Sequence, residues 1–291
     1  MTQSISSKTH LKRFPYWLRQ SVRDDQCLRE TKEVIAELKL NTVCQSSRCP
    51  NIYDCFSGRR CTFLILGRYC TRHCRFCAVE KNKVMLEDPD RKELFRIRDA
   101  VDRLGIKNPV VTSVTRDDLE DGGAAHFADC VNILRESCSV LKIEVLIPDF
   151  LGRKKSIEKV VSAKPDIFSH NLETAPRLYK KVRQEADYNR SLQVLKYAKE
   201  SDKTIITKSG IMVGIGESRE EIYQVMKDLR KADCDIITIG QYLKPGPDCL
   251  DVEEFLEPEE FDKFSKWAED LGFKRYYCGP LIRSSYETLK G

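Results

Sequence analysis

The chain has 291 residues, of which 41% are hydrophobic and 33% charged, and its formal net charge is +5. This length and apolar fraction allow one large domain or two ordinary ones. Acidic residues interleave with basic ones and no lysine- or arginine-rich block occurs. Nucleic acid is therefore not an expected partner, whereas a partner with an acidic face is compatible with the positive balance.

Thirteen cysteines are a high count for this length. No stretch approaches the ~18 apolar residues of a membrane helix, and the N-terminus lacks the apolar core of a secretory signal. We therefore expect the protein to stay in the cytoplasm and away from membranes. Disulfides are rare in that reducing compartment, so metal ligation is the favoured role for the cysteines.

The first predicted element is a packing helix from about Asp25 to Leu40, because apolar residues recur on one face and charged residues lie opposite. A cysteine trio follows, spaced Cys44-x4-Cys49-x5-Cys55. The lack of periodicity in this segment predicts an irregular loop. Irregular backbone around cysteines is typical of a segment ordered by a metal centre, although free, inert thiols would give the same pattern.

A second trio, Cys70-x3-Cys74-x2-Cys77, directly follows the apolar run 61–67. A strand that leads into a loop of cysteines suits an iron–sulfur cluster at the end of a sheet, because these clusters require thiolate ligands. Three ligands leave one iron of a four-iron cluster open for chemistry. A zinc site is the alternative, but zinc usually takes four protein ligands in paired spacings. Two trios so close in sequence predict two centres.

Strands and helices alternate from residue 62 onward. The predicted strands are 62–67, 109–114, 143–148, 166–170, 204–214 and 234–243. The predicted helices are roughly 91–104, 122–137, 155–163, 188–200, 218–232 and 258–271. Six strand–helix units with apolar strands predict an α/β fold with a parallel sheet, either open and doubly wound or part of a barrel.

Polar residues cluster where these strands end, and in either architecture that edge carries the site. Ordinary loop polarity would explain one such cluster, but several of them favour a shared pocket. His170 alone is more typical of a structural histidine. Gly214-x-Gly216 lacks the third glycine of a dinucleotide fingerprint, so a nicotinamide cofactor is not expected. The strand-end residues include Ser113, Asp117, Asp149, Asn171, Glu173, Lys208 and Gln241.

With these residues in place, the chain resembles the lipoyl synthase family of the radical S-adenosylmethionine (SAM) superfamily. The Cys70–Cys77 trio with Phe76 is similar to the superfamily motif, and the earlier trio with the tail Arg283-Ser284-Ser285-Tyr286 is similar to the family pattern. Other matching segments are 116–119, 121–123, 170–174, 207–210 and 240–243. The resemblance runs from about Arg13 to Tyr286.

The resemblance implies a partial (β/α)6 barrel. It also implies an N-terminal extension over residues 1–60 that carries auxiliary-cluster ligands. The barrel would occupy residues 61–275, and a tail over 276–291 would close the site.

Two four-iron, four-sulfur (4Fe-4S) clusters and SAM are the cofactors that the resemblance implies. Cys70, Cys74 and Cys77 would hold the cluster that binds SAM, whose cleavage gives a 5′-deoxyadenosyl radical. That radical would remove hydrogen at C6 and C8 of an octanoyl chain attached to a lysine of a lipoyl carrier domain. The auxiliary cluster would donate two sulfur atoms, which makes the protein a sulfurtransferase. Its ligands would be Cys44, Cys49, Cys55 and a tail serine, Ser285 in preference to Ser284.

The implied SAM-pocket residues are Phe76, Ser113, Asp117, Asn171, Glu173 and Lys208, with Arg283 as a further contact to substrate or SAM. Gln45 and Cys249 depart from the family pattern, which has Glu and His there, as does Glu287-Thr288 in place of His-Ala. None of these is a predicted ligand. The remaining cysteines are interpreted as packing residues: 27, 61, 130, 138, 234 and 278.

The implied partners are octanoylated lipoyl domains of 2-oxoacid dehydrogenase complexes or the glycine cleavage H protein, a ferredoxin- or flavodoxin-type electron donor, and an iron–sulfur carrier. Two alternatives remain open. A biotin-synthase-like or methylthiotransferase-like enzyme would also insert sulfur by radical chemistry, although the first trio and the serine tail argue against it. A cluster-binding electron carrier or regulatory module would need far fewer polar strand ends.

Overall fold

The computed structural model describes residues 14–22, 24–82, 86–137 and 142–285. Its centre is one sheet of seven parallel strands arranged in sequential order. The strands are β1 (Thr62–Ile65), β2 (Val110–Ser113), β3 (Glu144–Leu146), β4 (Ile167–Ser169), β5 (Ile206–Val213), β6 (Ile236–Gln241) and β7 (Arg275–Gly279). The first six lie inside the predicted ranges, and β7 was not predicted from the sequence.

The strand order explains the shape of the sheet. Successive strands are parallel neighbours, so every crossover steps to the next strand in the same direction. Because these crossovers also share one hand, their helices all lie on one face of the sheet. The other face then curves inward, as in an incomplete (β/α) barrel. The predicted α/β class with a parallel, barrel-type sheet is confirmed.

The longer helices follow the sequence pattern to within three residues at each end. Ser218 and Glu221 form a capping box at the start of α9 (Arg219–Lys231), and Gly105 ends α4 (Arg91–Leu104) in the left-handed conformation with φ of 64°. The helices are α1 (Gln26–Glu37), α2 (Val43–Ser46), α3 (Ile52–Ser57), α4 (Arg91–Leu104), α5 (Ala124–Arg135), α6 (Lys154–Ser162), α7 (Tyr179–Val182), α8 (Tyr188–Ser201), α9 (Arg219–Lys231) and α10 (Pro258–Asp270).

The segment that carries the first cysteine trio is not the irregular loop that the sequence predicts. It contains α2 and α3, with Cys44 on the former and Cys55 on the latter. The side chain of Thr42 caps α2 by accepting the backbone N–H of Gln45 at 3.3 Å. Helices of four and six residues span less than two turns, so no apolar period can reveal them in the sequence.

The N-terminal residues are continuous with the barrel. Leu28 and Ile35 of α1 belong to the same apolar core as Phe63 of β1. Thr31 donates its hydroxyl to the carbonyl of Phe56 at 2.9 Å, and Thr42 forms an antiparallel bridge with Phe63. These contacts hold the cysteine-bearing helices against the open edge of the sheet.

At the other end of the chain, β7 pairs with β6 through residue 279, so the sheet extends into the segment predicted as the C-terminal tail. Among the described residues, no helix is both long and apolar enough to cross a membrane.

Candidate active site

Both cysteine trios line one cavity of about 550 Å³, to which the ends of β2 to β6, the N-terminal helices and the C-terminal tail contribute. Cavities at this edge of a parallel sheet are where α/β proteins place their sites. The predicted site residues on its wall are Cys44, Cys49, Cys55, Cys70, Cys74, Cys77, Phe76, Ser113, Asn171, Glu173, Ser284 and Ser285. The structure thus brings together most of the residues that the sequence singled out.

The Cys70–Cys77 loop leaves β1 through a sharp turn. Leu66 and Gly67 have φ of 68° and 87°, which send the chain across the end of the sheet. The Cys70 thiol lies within 3.3 Å of the backbone N of Thr115, which fixes the start of the loop to the end of β2. The backbone therefore positions the first thiol before any ligand binds.

Burial sets the protonation state of the other two thiols. It raises the pKa of Cys74 to about 11, with the charge of Arg183 acting against it, and the pKa of Cys77 to about 12. Such thiols are neutral at pH 7 without a cation. A metal that takes them as thiolates supplies the charge that burial otherwise disfavours, so the donor set fits an iron–sulfur cluster.

Arg72 ties this loop to the barrel. Its side chain is 3% exposed and lies between two carboxylates, with Nε donating to Asp117 at 2.6 Å and Nη2 donating to Asp149 at 2.6 Å. Asp149 is fully buried and also accepts from Nε of Arg190 at 2.8 Å. Asp117, predicted as a SAM-pocket residue, thus faces Arg72 and does not line the cavity.

The Cys44–Cys55 trio forms a second group of buried thiols. Burial raises the pKa of Cys44 to about 12 and that of Cys55 still further, and the proximity of the thiols to one another adds to both shifts. A backbone hydrogen bond from Thr62 acts in the opposite direction on Cys44. Cys61 also lies near Cys44 and Cys55, but it is fully buried and absent from the cavity wall.

The C-terminal tail folds back over the end of β6 and lines the same cavity as both trios. The Ser285 hydroxyl lies 2.9 Å from the hydroxyl of Thr62, and the Ser284 hydroxyl donates to Asn171 Oδ1 at 2.8 Å. Gly240 makes this path possible, since a Cβ there would come within 2.0 Å of the Ile282 carbonyl oxygen. Tyr286, the last residue of the predicted tail motif, lies outside the described residues.

Several polar atoms on the cavity wall are free to meet a ligand. His170 Nδ1 is 2.9 Å from the carbonyl oxygen of Ile147, which can only accept, so Nδ1 carries the proton. Burial lowers the pKa of His170 to about 4, and Nε2 is therefore an unprotonated acceptor. Within the described part of the chain, His170 Nε2, Ser113 Oγ and Arg183 Nε are buried without a hydrogen-bond partner.

Glu173 shows the backbone strain that is common at functional sites. Its φ is 68°, and its backbone N and O bond to Gly210 and Met212 of β5. Burial raises the pKa of this carboxyl, although Arg183 and Asn171 act to lower it. The Asn171 amide donates to the Glu173 carboxylate at 3.2 Å.

Lys208 lies below the cavity and not on its wall. The ammonium group is 3.0 Å from the carboxylate of Glu144, which also accepts the Ser169 hydroxyl at 2.7 Å. This buried layer supports the cavity from beneath. Arg72 and Arg183 were not predicted as site residues, and the only sequence signal for Arg72 was its place inside the cysteine loop.

Across residues 14–22, 24–82, 86–137 and 142–285, no three His, Cys, Asp or Glu side chains converge tightly enough to hold a single metal ion. The ligands of a four-iron cluster bind at the corners of a body much wider than one ion. Such a cluster needs three thiols near one space, and the three cysteines of each trio line the same cavity.

Comparison with known proteins gives a consistent result. Residues 64–229 match the model of the Radical SAM superfamily. A lipoyl synthase from Caldicellulosiruptor saccharolyticus is 51% identical over 279 residues, which cover 95% of this chain and 97% of that protein. A lipoyl synthase from Aquifex aeolicus is 48% identical over 263 residues, which cover 90% and 95%.

Solved structures with a similar fold are more distant in sequence. The methylornithine synthase PylB has a TM-score of 0.53 at 13% identity, over 85% of this chain and 81% of that chain. The FeFe-hydrogenase maturase HydG from Carboxydothermus hydrogenoformans has a TM-score of 0.56 at 14% identity, over 90% and 77%. At these identities the likeness concerns the fold alone.

Proposed function

Because the chain belongs to the lipoyl synthase family of the radical SAM superfamily, we propose that it inserts two sulfur atoms, at C6 and C8, into an octanoyl chain. Family membership implies a 4Fe-4S cluster, SAM and a lipoyl-domain substrate. The proposal adds that the sulfur comes from a second cluster, held by Cys44, Cys49, Cys55 and a tail serine.

One observation carries this proposal: the two cysteine trios and the tail serines line the same cavity. An alkyl chain that enters this cavity can meet both centres without leaving the protein. Apolar side chains suited to an alkyl chain line much of the remaining wall, namely Leu64, Val79, Val114, Leu146, Ile211 and Met212.

Hydrogen abstraction from an unactivated alkyl carbon exceeds what side chains can do, and a 4Fe-4S cluster with SAM supplies the radical for it. The chain's own residues position the reactants and exclude water. Cys70, Cys74 and Cys77 would hold this cluster. We propose that Ser113, Asn171, Glu173 and Phe76 contact SAM, because they line the cavity next to that trio. His170 Nε2 offers an acceptor to a ligand hydroxyl or amine.

Asp117 and Lys208 have a different role in this proposal. Asp117 holds Arg72, and Lys208 holds Glu144. Both therefore act through other residues and not by touching SAM. The source of electrons is proposed to be a ferredoxin- or flavodoxin-type protein, and an iron–sulfur carrier is proposed to restore the auxiliary cluster, since the reaction consumes reducing equivalents and sulfur.

The reaction itself is tested by anaerobic turnover. The reconstituted enzyme is incubated with dithionite, SAM and an octanoylated lipoyl domain, and the domain is analysed by mass spectrometry. We expect a gain of two sulfur atoms on the octanoyl chain and formation of 5′-deoxyadenosine, with no gain when SAM is omitted. An octanoyl chain that stays unchanged while 5′-deoxyadenosine accumulates would contradict the proposal.

The serine ligand is tested separately. Ser285 touches Thr62, whose backbone contacts Cys44, whereas Ser284 is bonded to Asn171. We therefore expect Ser285→Ala to lower auxiliary iron and stop sulfur insertion while 5′-deoxyadenosine still forms. Iron analysis and product assays on matched Ser284→Ala and Ser285→Ala proteins decide it. If the losses follow Ser284→Ala instead, Ser284 is the ligand.

A serine ligand also suits a cluster that is dismantled during turnover. Its oxygen is a harder donor than a thiolate and should bind iron less firmly. Full sulfur transfer by the corresponding serine-to-cysteine protein would argue against this function of the oxygen ligand.

A further inference from the structure

The charge on the cavity wall differs sharply from that of the whole chain. The sequence has 50 basic and 45 acidic residues, but the cavity wall carries six basic side chains and one carboxylate, that of Glu173. The six basic residues are Arg48, Arg72, Lys81, Arg183, Lys244 and Arg283. Groups inside the cavity account for only part of this excess of positive charge.

Three of these cations interact with groups in or beneath the cavity. Arg72 is neutralised by Asp117 and Asp149. The charge of Arg183 acts on Cys74, and that of Arg283 interacts with Cys49, so both lie beside thiols that become anionic when a cluster binds. The other three, Arg48, Lys81 and Lys244, are exposed and form what we call the cationic rim.

The residues of the cationic rim lie beside both cysteine trios. Arg48 donates to the carbonyl oxygen of Pro245 at 3.3 Å, which joins the cysteine-bearing helices to the loop that carries Lys244. The backbone of Lys81 forms a parallel β-bridge with Cys70, which belongs to the Cys70–Cys77 trio. Within the described residues, Arg48 and Lys81 have no carboxylate partner, and Lys244 pairs with Asp251 at 2.7 Å. Asp251 is itself 87% exposed, so it screens Lys244 only in part.

An exposed aromatic segment begins on the cavity wall at Phe14. Phe14 lines the cavity, is 45% exposed and packs edge-on against Phe255, and Tyr16 is 76% exposed. Trp17 anchors this segment by donating to the carbonyl oxygen of Leu256 at 3.2 Å. Aromatic residues and arginine are enriched at the centres of protein–protein interfaces, so the mouth has the composition of a docking surface.

We propose that the cationic rim, with Phe14 and Tyr16, docks the folded carrier domain through acidic residues around its octanoyl-lysine. This inference rests on the proposed function. An acyl chain attached to a folded domain can reach the cavity only through its mouth, so the domain surface around the modified lysine must rest on the rim. Opposite charges there would steer the encounter and orient the lysine arm.

The test compares two substrates that share the acyl chain but not the docking surface. One is the octanoylated lipoyl domain, and the other is an octanoyl-lysyl tripeptide with uncharged neighbours and blocked ends. Reconstituted wild-type enzyme, the Arg48→Gln/Lys244→Gln double variant and a Lys203→Gln control are assayed with dithionite as reductant. Lys203 is exposed and precedes β5, at the opposite end of the strands from the cavity.

At low salt we expect the double variant to raise KM for the domain about tenfold, with kcat little changed and with no effect on the tripeptide. The difference should shrink as salt rises, because rim charges are screened. Lys203→Gln should behave like the wild type. Equal losses with both substrates would overturn the proposal, because the cations would then act inside the cavity.

An unchanged KM for the domain would also overturn it. An effect seen only when a protein reductant replaces dithionite would assign the rim to the electron donor and not to the carrier domain. If the wild-type enzyme modifies neither substrate, the proposed function itself fails. If the enzyme converts the tripeptide while the rim charges have no effect on its KM for the domain, the proposed function stands and only the docking proposal fails.

Discussion

The Cys49→Ala enzyme is expected to form 5′-deoxyadenosine from SAM yet to release no sulfur-containing product. Cys49 lines the cavity with Cys44 and Cys55, on a different segment from the Cys70–Cys77 loop. The Cys74→Ala enzyme should instead lose both activities, because without the radical no hydrogen is removed. If each trio holds a four-iron cluster, each variant should retain about four of the eight iron atoms expected in the reconstituted protein.

Cys61→Ala is the matched control for this pair. Cys61 lies close enough to Cys44 and Cys55 for their thiolate charges to raise its pKa, but it is fully buried and does not line the cavity. Its replacement should preserve the iron content and both activities. Iron analysis, 5′-deoxyadenosine assays and mass spectrometry of the domain check all three proteins. If Cys49→Ala loses 5′-deoxyadenosine formation as completely as Cys74→Ala, the two trios do not serve separate centres.

Periodic sequence patterns identified the longer elements of this fold. The helix α4 has an apolar stripe, an aspartate cap and a terminal glycine, and its predicted and observed bounds coincide. The strands β1 and β6 are mostly apolar because both of their faces are buried. The strand β7 has no such run, since it lies at the edge of the sheet and its residues 275–278 are partly or fully exposed.

The sequence could identify those site residues that occur at a characteristic spacing. The six cysteines were identified in this way, and all six line the cavity. Asp117 and Lys208 were chosen because they follow or end strands, but that position does not determine where a side chain points. Lys208 pairs in register with Ser169 and turns down toward Glu144, 64 residues away in the chain. Contacts over such distances leave no local pattern.

The charged network around Arg72 likewise could not be predicted from the sequence. The other members of the network, Asp117, Asp149 and Arg190, come from three separate segments, and only the folded chain brings them together. The burial of Arg72 inside a loop of cysteines is equally invisible in the sequence, because arginine is usually a surface residue. The structure therefore adds a positioning device to the ligands that the spacing revealed.

Replacing Asp149 with alanine is expected to lower the free energy of unfolding by about 3–5 kcal/mol, because it leaves the buried guanidinium of Arg72 with only the partly exposed Asp117. The freed loop should also bind iron less well at Cys70, Cys74 and Cys77. Urea denaturation of the metal-free protein, followed by circular dichroism, measures the first effect, and iron analysis after reconstitution measures the second. Glu37→Gln is the control, since it breaks an exposed, solvent-screened pair with Arg103 and should leave the free energy of unfolding almost unchanged.

The pH dependence of the same variant separates charge from packing. Burial alone would raise the pKa of Asp149, but the hydrogen bond and charge of Arg72 hold this pKa well below its usual range. A depressed pKa stabilises the fold above the unfolded-state value, near pH 3.9 for aspartate, and that contribution is lost as the pH falls below it. The gap in unfolding free energy between wild type and Asp149→Ala should therefore be constant from pH 7 to about pH 5 and narrow below about pH 4. A gap that stays the same down to pH 3 would mean that Asp149 contributes through packing and not through its charge on Arg72.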